Sequence, residues 1–137
     1  MDEVINMKRI LVMILVLSIV LCGCGKVSGA KLEIGESAIY SRAEIQAAMN
    51  VVKNHFRQGF EGCTLLNIRY DEEESRSAAL DWAEQYNAKE AIVLYSDFLV
   101  IGNRNPTLNG NSKYENWSWV LVRNPFGSWE LKTSGYG

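Results

Sequence analysis

Few side chains in this sequence could perform acid–base chemistry. His55 is the single histidine, and its ordinary pKa lies near neutrality. Asp97 interrupts an apolar stretch, where a carboxyl group would have a raised pKa suited to proton transfer. The pair could act as a general acid and base if both lie within about 7–8 Å of each other in one pocket. The interpretation that we favour makes His55 a half-buried packing residue and pairs Asp97 with Arg69 or Arg123.

Aromatic side chains offer a second kind of site. Trp117 and Trp119 are two residues apart, so they share one face of any strand that contains them. Together with Tyr95 they could stack against an apolar or ring-shaped ligand. The alternative, which we favour, is that this face packs against a helix and the indoles belong to the core.

We predict neither a metal site nor a cofactor. Asp71–Glu74 is a run of four carboxylates, but consecutive side chains on a helix point in different directions. Solvation and a favourable position at a helix N-terminus explain the run better than a cation does. Cys63 has no lysine or histidine close in sequence to lower its pKa, so we expect a small buried side chain rather than a reactive thiol.

The charge of the chain argues against nucleic acid as a partner. The formal net charge is −2, and it stays −2 without residues 1–23, because Asp2 and Glu3 leave together with Lys8 and Arg9. The remaining lysines and arginines are scattered, whereas nucleic-acid binding needs a basic face that neutralises phosphates.

The N-terminus has the pattern of an export signal. Lys8 and Arg9 precede the apolar run Ile10–Leu21, which fits a secretory signal and is shorter than the roughly 20 residues of a membrane-spanning helix. Asp2 and Glu3 are unusual in such a signal, so the chain could start at Met7 rather than at Met1.

The residues after this run resemble the lipobox of bacterial lipoproteins. In Leu21-Cys22-Gly23-Cys24 an aliphatic residue lies three positions before the cysteine and a small residue directly before it. The resemblance implies that residues 1–23 are a signal peptide and that Cys24 carries a diacylglycerol on its sulfur. Lipidation of Cys22 is a weaker alternative, because Leu21 is too large for the residue before the cut. Cys24 would hold the chain on the extracytoplasmic face of the cell membrane.

The mature chain divides into a predicted tether, residues 24–40, and a domain, residues 41–137. Ser41-Arg-Ala-Glu44 is a capping box, and apolar residues follow it at helical spacing as far as Phe56. Cys63–Tyr70 is a predicted strand with Leu66 and Ile68 on one face and Leu65 on the other. A short second helix should follow and end near Asn87.

Three strands joined by hairpins complete the prediction, at residues 90–101, 117–123 and 128–132, with turns at Asn109-Gly110 and Asn124–Gly127. This order predicts an α+β fold in which a curved antiparallel sheet packs on a long first helix and a short second one.

Several segments resemble a family of uncharacterised Gram-positive lipoproteins: Val51-Val-Lys-Asn-His-Phe56, Gly62-Cys-Thr-Leu65, Tyr70-Asp-Glu-Glu73, Ser96-Asp-Phe98 and Tyr114-Glu-Asn-Trp-Ser-Trp-Val-Leu-Val-Arg123. The domain of that family is similar to the nuclear-transport-factor-2 superfamily, a cystatin-like roll. The resemblance spans residues from about 41 to 137 and implies a sheet that closes a cone against the helices. It assigns no catalytic residues, because that superfamily includes enzymes, ligand carriers and interaction modules.

The expected function is therefore a membrane-anchored, non-catalytic module of the cell envelope. Its partner would be a small ligand in the cone or another envelope protein. The alternative is a small acid–base enzyme that uses Asp97 and His55 in the cone.

Overall fold

The structure, a computed structural model, describes residues 3–4, 6–9 and 24–136. The predicted signal run Ile10–Leu21 and the lipobox residues before Cys24 lie outside these ranges. From residue 24 onward the elements are, in chain order, β1 (Lys31–Ile34), α1 (Arg42–Gly59), β2 (Cys63–Tyr70), α2 (Glu72–Gln85), β3 (Ala91–Val100), β4 (Lys113–Arg123) and β5 (Trp129–Gly135). No helix in the described ranges has the length and apolar character needed to cross a membrane.

The predicted α+β class is confirmed, but the sheet is mixed rather than wholly antiparallel. Its strands lie in the order β1-β2-β3-β4-β5. β1 runs parallel to β2, with Leu32 opposite Ile68, whereas β2–β3, β3–β4 and β4–β5 are antiparallel pairs.

The segment that we expected to be a tether is part of the folded domain from residue 25 onward. Lys26 forms a bridge to Thr64 ahead of β1, and Val27 is buried in the main core. The prediction failed because β1 has only four residues, too few to show a clear alternation of apolar and polar side chains.

α1 begins where the capping box predicts. The Ser41 hydroxyl accepts a hydrogen bond from the Glu44 amide at 3.2 Å, and the Glu44 carboxylate accepts one from the Ser41 amide at 3.1 Å. The predicted apolar stripe is buried against one face of the sheet: Ile45, Ala48, Met49, Val52 and Phe56. This packing fixes both ends of α1 relative to the strands.

The predicted faces of β2 need a correction. The pairing with β3 shifts between Leu65 and Asn67, so a bulge adds one residue to β2 there. Leu65 and Ile68 are consequently both buried in the core, and Leu66 is only partly buried.

α2 packs on the opposite face of the sheet from α1. Asp71 caps it by accepting a hydrogen bond from the Glu74 amide at 3.0 Å, and the acidic run occupies its first turn, as predicted. Ala83 packs against Ala91 and Val122 in a second, smaller core. β2 ends at Tyr70 and does not extend as far as Val93 of β3. The Val93 amide instead donates a hydrogen bond to the Ser75 hydroxyl of α2 at 3.0 Å.

Candidate functional site

The structure does not bring Asp97 and His55 together. Asp97 lies on the face of β3 that points away from α1, since its neighbours Ser96 and Phe98 are both buried on the α1 side. His55 is exposed on α1, rather than half-buried as expected, and its ring meets that of Trp119 edge-on at 6.2 Å. The sheet therefore separates the two groups, and the geometry required for a shared acid–base site is absent.

Asp97 is instead the centre of a polar network on the face of the sheet opposite α1. Its carboxylate accepts hydrogen bonds from the Asn67 side chain at 2.9 Å and the Asn116 amide at 3.0 Å. The Arg69 Nη1 atom lies 3.3 Å from Asp97 Oδ1. This contact confirms the predicted structural pair and selects Arg69 over Arg123 as the partner. Burial alone would raise the pKa of Asp97, but the two hydrogen bonds and Arg69 outweigh it and hold the pKa below its usual value.

The lowered pKa of Asp97 predicts how the free energy of unfolding changes at acid pH. The ionised carboxylate stabilises the fold fully above the unfolded-state pKa of about 3.9, and that stabilisation is lost as the pH falls through the folded-state value. We expect Asp97→Asn to lower stability at pH 7 and to flatten the loss of stability below about pH 4. Urea unfolding across this pH range measures both effects. Asp81→Asn, at an exposed position of α2, is the control, and an equal flattening there would contradict the prediction.

Trp117 and Trp119 share a face, as predicted, but that face belongs to the core. Trp119 is fully buried, and its indole Nε1 donates a hydrogen bond to the Ser96 hydroxyl at 2.7 Å. Trp117 is partly buried against the same core, and its ring packs edge-on against Phe60 and Phe98. Among the described residues its indole Nε1 has no hydrogen-bond partner. Tyr95 points to the other face of the sheet, so the three predicted ligand-binding side chains do not converge.

Cys63 is buried at the start of β2. Burial raises the pKa of its thiol, which the contact with the Asn105 side chain only partly opposes. This environment matches the expected small buried side chain and not a reactive thiol.

Cys24 is exposed, and the chain docks onto the domain directly after it. The Gly25 amide donates a hydrogen bond to the Arg57 carbonyl at the end of α1, at 3.0 Å. A Cβ atom at Gly25 would lie only 2.4 Å from the Phe56 carbonyl oxygen. Glycine is therefore required for this close approach.

A cleft that the sequence did not suggest lies between α2 and the segment before α1. It has a volume of about 770 Å³ and is lined by Tyr40, Tyr70 and residues of α2. Two large apolar side chains stand exposed among its lining residues, Ile39 at 48% and Leu80 at 80% of their surface. The only hint in the sequence is Leu80 itself, an apolar residue that adjoins the buried stripe of α2 without belonging to it.

Glu72 holds one wall of this cleft in place. Its carboxylate accepts hydrogen bonds from the Ala38 amide at 3.0 Å, from the Ser37 hydroxyl and from the Tyr70 hydroxyl at 3.1 Å. The bonds from Ala38 and Ser37 keep the pKa of Glu72 below its usual value. Burial raises the pKa of Tyr70 to about 12, so its hydroxyl stays protonated and donates to Glu72 near neutral pH.

In the described part of the chain, no three His, Cys, Asp or Glu side chains come together as they would around a metal ion. Comparisons with family models, curated proteins and solved structures found no match to this chain.

Proposed function

We propose that the protein is an extracytoplasmic lipoprotein, cut before Cys24 and held on the cell membrane by lipid on that cysteine. The observation that carries the proposal is the sequence Leu21-Cys22-Gly23-Cys24, which has the pattern of a lipobox and follows a basic and then an apolar segment. Among the described residues, the main core begins at Val27 and lies wholly after Cys24, as expected of a domain that remains after a cut before that cysteine. Cys24 is exposed, as a residue that receives a lipid must be.

Substitution of the two lipobox cysteines tests the anchor. We expect Cys24→Ser to abolish lipidation, so that the heavier precursor accumulates and no lipid-bearing mature chain forms. Cys22→Ser is the matched control, two residues away, and should leave processing unchanged. Mass spectrometry of the chain from an exporting bacterium distinguishes the outcomes. A lipid-bearing chain from Cys24→Ser, or its loss in Cys22→Ser alone, would contradict the proposal.

We further propose that the anchored domain is a non-catalytic binding module whose site is the cleft beside α2. Its volume falls in the range of about 300–1,000 Å³ that is usual for small-molecule sites. The exposed Ile39 and Leu80 give it an apolar rim, and exposed apolar side chains around a concavity are typical of binding surfaces. Arg76 and Lys89 provide cations near this rim, and Glu73 and Glu90 provide carboxylates. The favoured ligand is a small molecule with an apolar part and a polar end.

Native mass spectrometry of the mature chain from its exporting host tests this site. We expect a non-covalent adduct that Leu80→Asp reduces at least tenfold, because a charge in the apolar wall costs about 1.4 kcal/mol or more of binding free energy. Phe126→Asp is the matched control, because Phe126 is 94% exposed and lies outside the cleft. Absence of any adduct, or equal loss in both variants, would contradict a small-ligand site here.

We also propose that residues 41–137 fold as a cone-shaped roll of the nuclear-transport-factor-2 type. Support comes from α1, which lies across one face of β2–β5, a set of antiparallel neighbours. The parallel β1 and the packing of α2 on the other face are not part of what the resemblance implied.

A further inference from the structure

Almost no flexible chain separates Cys24, the proposed anchor residue, from the folded domain. Gly25 is buried and hydrogen-bonded to α1, and Lys26 continues into contact with β2, where its amide donates to the Cys63 carbonyl at 2.9 Å. A flexible tether of residues 25–40 would have placed the domain roughly 20 Å from its anchor, at about 5–6 Å times the square root of its length. Without such a tether, Cys24 is joined directly to the docked Gly25, and one residue of chain spans only about 3.5 Å.

The residues around Cys24 form one surface, which we call the proximal face: Lys26, Arg57, Ile101 and Arg104. Contacts through Gly25 and Gly62 bring the segments that carry these residues together. Gly25 bonds to the Arg57 carbonyl at 3.0 Å, and the Ile101 amide donates to the Gly62 carbonyl at 2.8 Å. A Cβ atom at Gly62 would lie 3.1 Å from Arg104 Cβ. All four side chains are exposed.

Charge is distributed unevenly between the two ends of the domain. Residues 24–136 contain twelve cationic side chains and fourteen carboxylates. The part around the proximal face has five cations and two carboxylates, and the part that contains α2 has five cations and ten carboxylates. The ion pairs Lys31–Glu33 and Arg69–Asp97 are counted with neither part. The proximal charges are Lys26, Lys53, Arg57, Arg104 and Lys113 against Glu61 and Glu115. The domain is therefore a charge dipole with its positive end at Cys24.

We propose that the proximal face docks on the surface of anionic phospholipids, so that the domain has a fixed orientation on the membrane. The inference rests on the proposed lipid at Cys24. The Debye length is about 8–10 Å at physiological salt. The charge of Lys26, two residues from the anchor, can therefore interact with lipid headgroups, whereas salt would screen a charge held roughly 20 Å away by a long tether. Ile101, with 56% of its surface exposed, adds an apolar contact on this face.

Fluorescence quenching of the full lipidated chain tests the orientation. A polarity-sensitive probe is placed at Ile101→Cys on the proximal face or at Phe126→Cys on the opposite end. Vesicles contain spin-labelled lipid in phosphatidylcholine, either alone or mixed equally with phosphatidylglycerol. We expect quenching of the probe at position 101 to be several times that at position 126 in the anionic vesicles, and to decline with salt.

Charge variants separate docking from mere attachment. Each cation near an anionic surface contributes about a fivefold factor, so Arg57→Gln/Arg104→Gln should shift the docking equilibrium by about 25-fold. Arg42→Gln/Lys132→Gln removes the same charge from the opposite half and should leave quenching unchanged.

Two readouts distinguish the two proposals. The mass of the purified chain reports lipidation, and a chain without lipid overturns the proposed anchor. A lipid-bearing chain with equal quenching at both positions overturns the docked orientation alone. The docked orientation is also overturned if position 101 is quenched more than position 126 to the same degree in pure phosphatidylcholine. It is overturned as well if the two charge variants change the quenching equally.

Discussion

Trp119→Ala is expected to lower the free energy of unfolding by about 3–5 kcal/mol, the usual cost of truncating a buried tryptophan. The indole is fully buried between sheet and α1, where it packs against Phe56 and Phe60. Its removal also leaves the buried Ser96 hydroxyl without the indole donor. Urea denaturation of residues 24–137, followed by circular dichroism, measures the change.

Two further variants keep this prediction testable if Trp119→Ala does not fold. Trp119→Phe retains most of the buried apolar area and loses the hydrogen bond to Ser96, so we expect a loss of about 1–3 kcal/mol. Phe126→Ala should change stability by less than about 0.5 kcal/mol, because Phe126 is almost wholly exposed. A loss below about 1 kcal/mol for Trp119→Ala would show that this tryptophan does not form the core.

Gly25→Val is expected to destabilise the domain by about 1–3 kcal/mol, the usual cost of forcing extra atoms into a packed site. The added Cβ would meet the Phe56 carbonyl oxygen at 2.4 Å and the Phe56 ring at 2.8 Å. Neither atom can withdraw easily, because one is helix backbone and the other belongs to a core side chain. We therefore expect residues 25–30 to separate from α1 and β2.

Hydrogen exchange locates that separation. The Lys26 amide donates to the Cys63 carbonyl and the Leu65 amide to the Lys26 carbonyl, so both should lose protection. Gly29→Val is the matched control in the same segment, since no heavy atom beyond its two chain neighbours lies within 4 Å of a Cβ there. Unchanged protection in Gly25→Val, or an equal loss in Gly29→Val, would contradict the requirement for glycine at position 25.

The elements that could be predicted are those whose causes are local in the sequence. The capping box at Ser41 and the apolar stripe after it gave α1, because both depend on residues within a few turns of each other. The acidic run after Asp71 likewise gave the start of α2. The predicted strands were found because alternation or continuous apolar character is visible within one segment.

The features that were missed depend on contacts between distant segments. β1 is short and pairs with β2 across the whole of α1. The predicted faces of β2 were wrong because a bulge in its pairing with β3 inserts one residue into β2. No pattern within β2 indicates this bulge. The choice of Arg69 as the partner of Asp97 depends on strand register, and Arg123 instead bridges Glu44 and Glu90.

The candidate site could be predicted only in part. Residue spacing placed Trp117 and Trp119 on one face but could not show whether that face was open or covered. The cleft beside α2 depends on the bonds between Glu72 and the segment of Ser37 and Ala38. Since these residues lie far apart in sequence, composition and periodicity do not place the cleft, and Leu80 is the only hint of it.

The parallel pairing of β1 has a consequence for the order of folding. β1 precedes its partner in the chain, and Leu32 can meet Ile68 only after α1 and β2 have been synthesised and brought together. Pairings between distant segments form slowly, because the entropy of closing the intervening chain must be overcome first. In the export that we propose, the segment that follows Cys24 would therefore stay extended and accessible until the rest of the domain has emerged. This delay would leave time for the proposed modification of that cysteine before the segment docks.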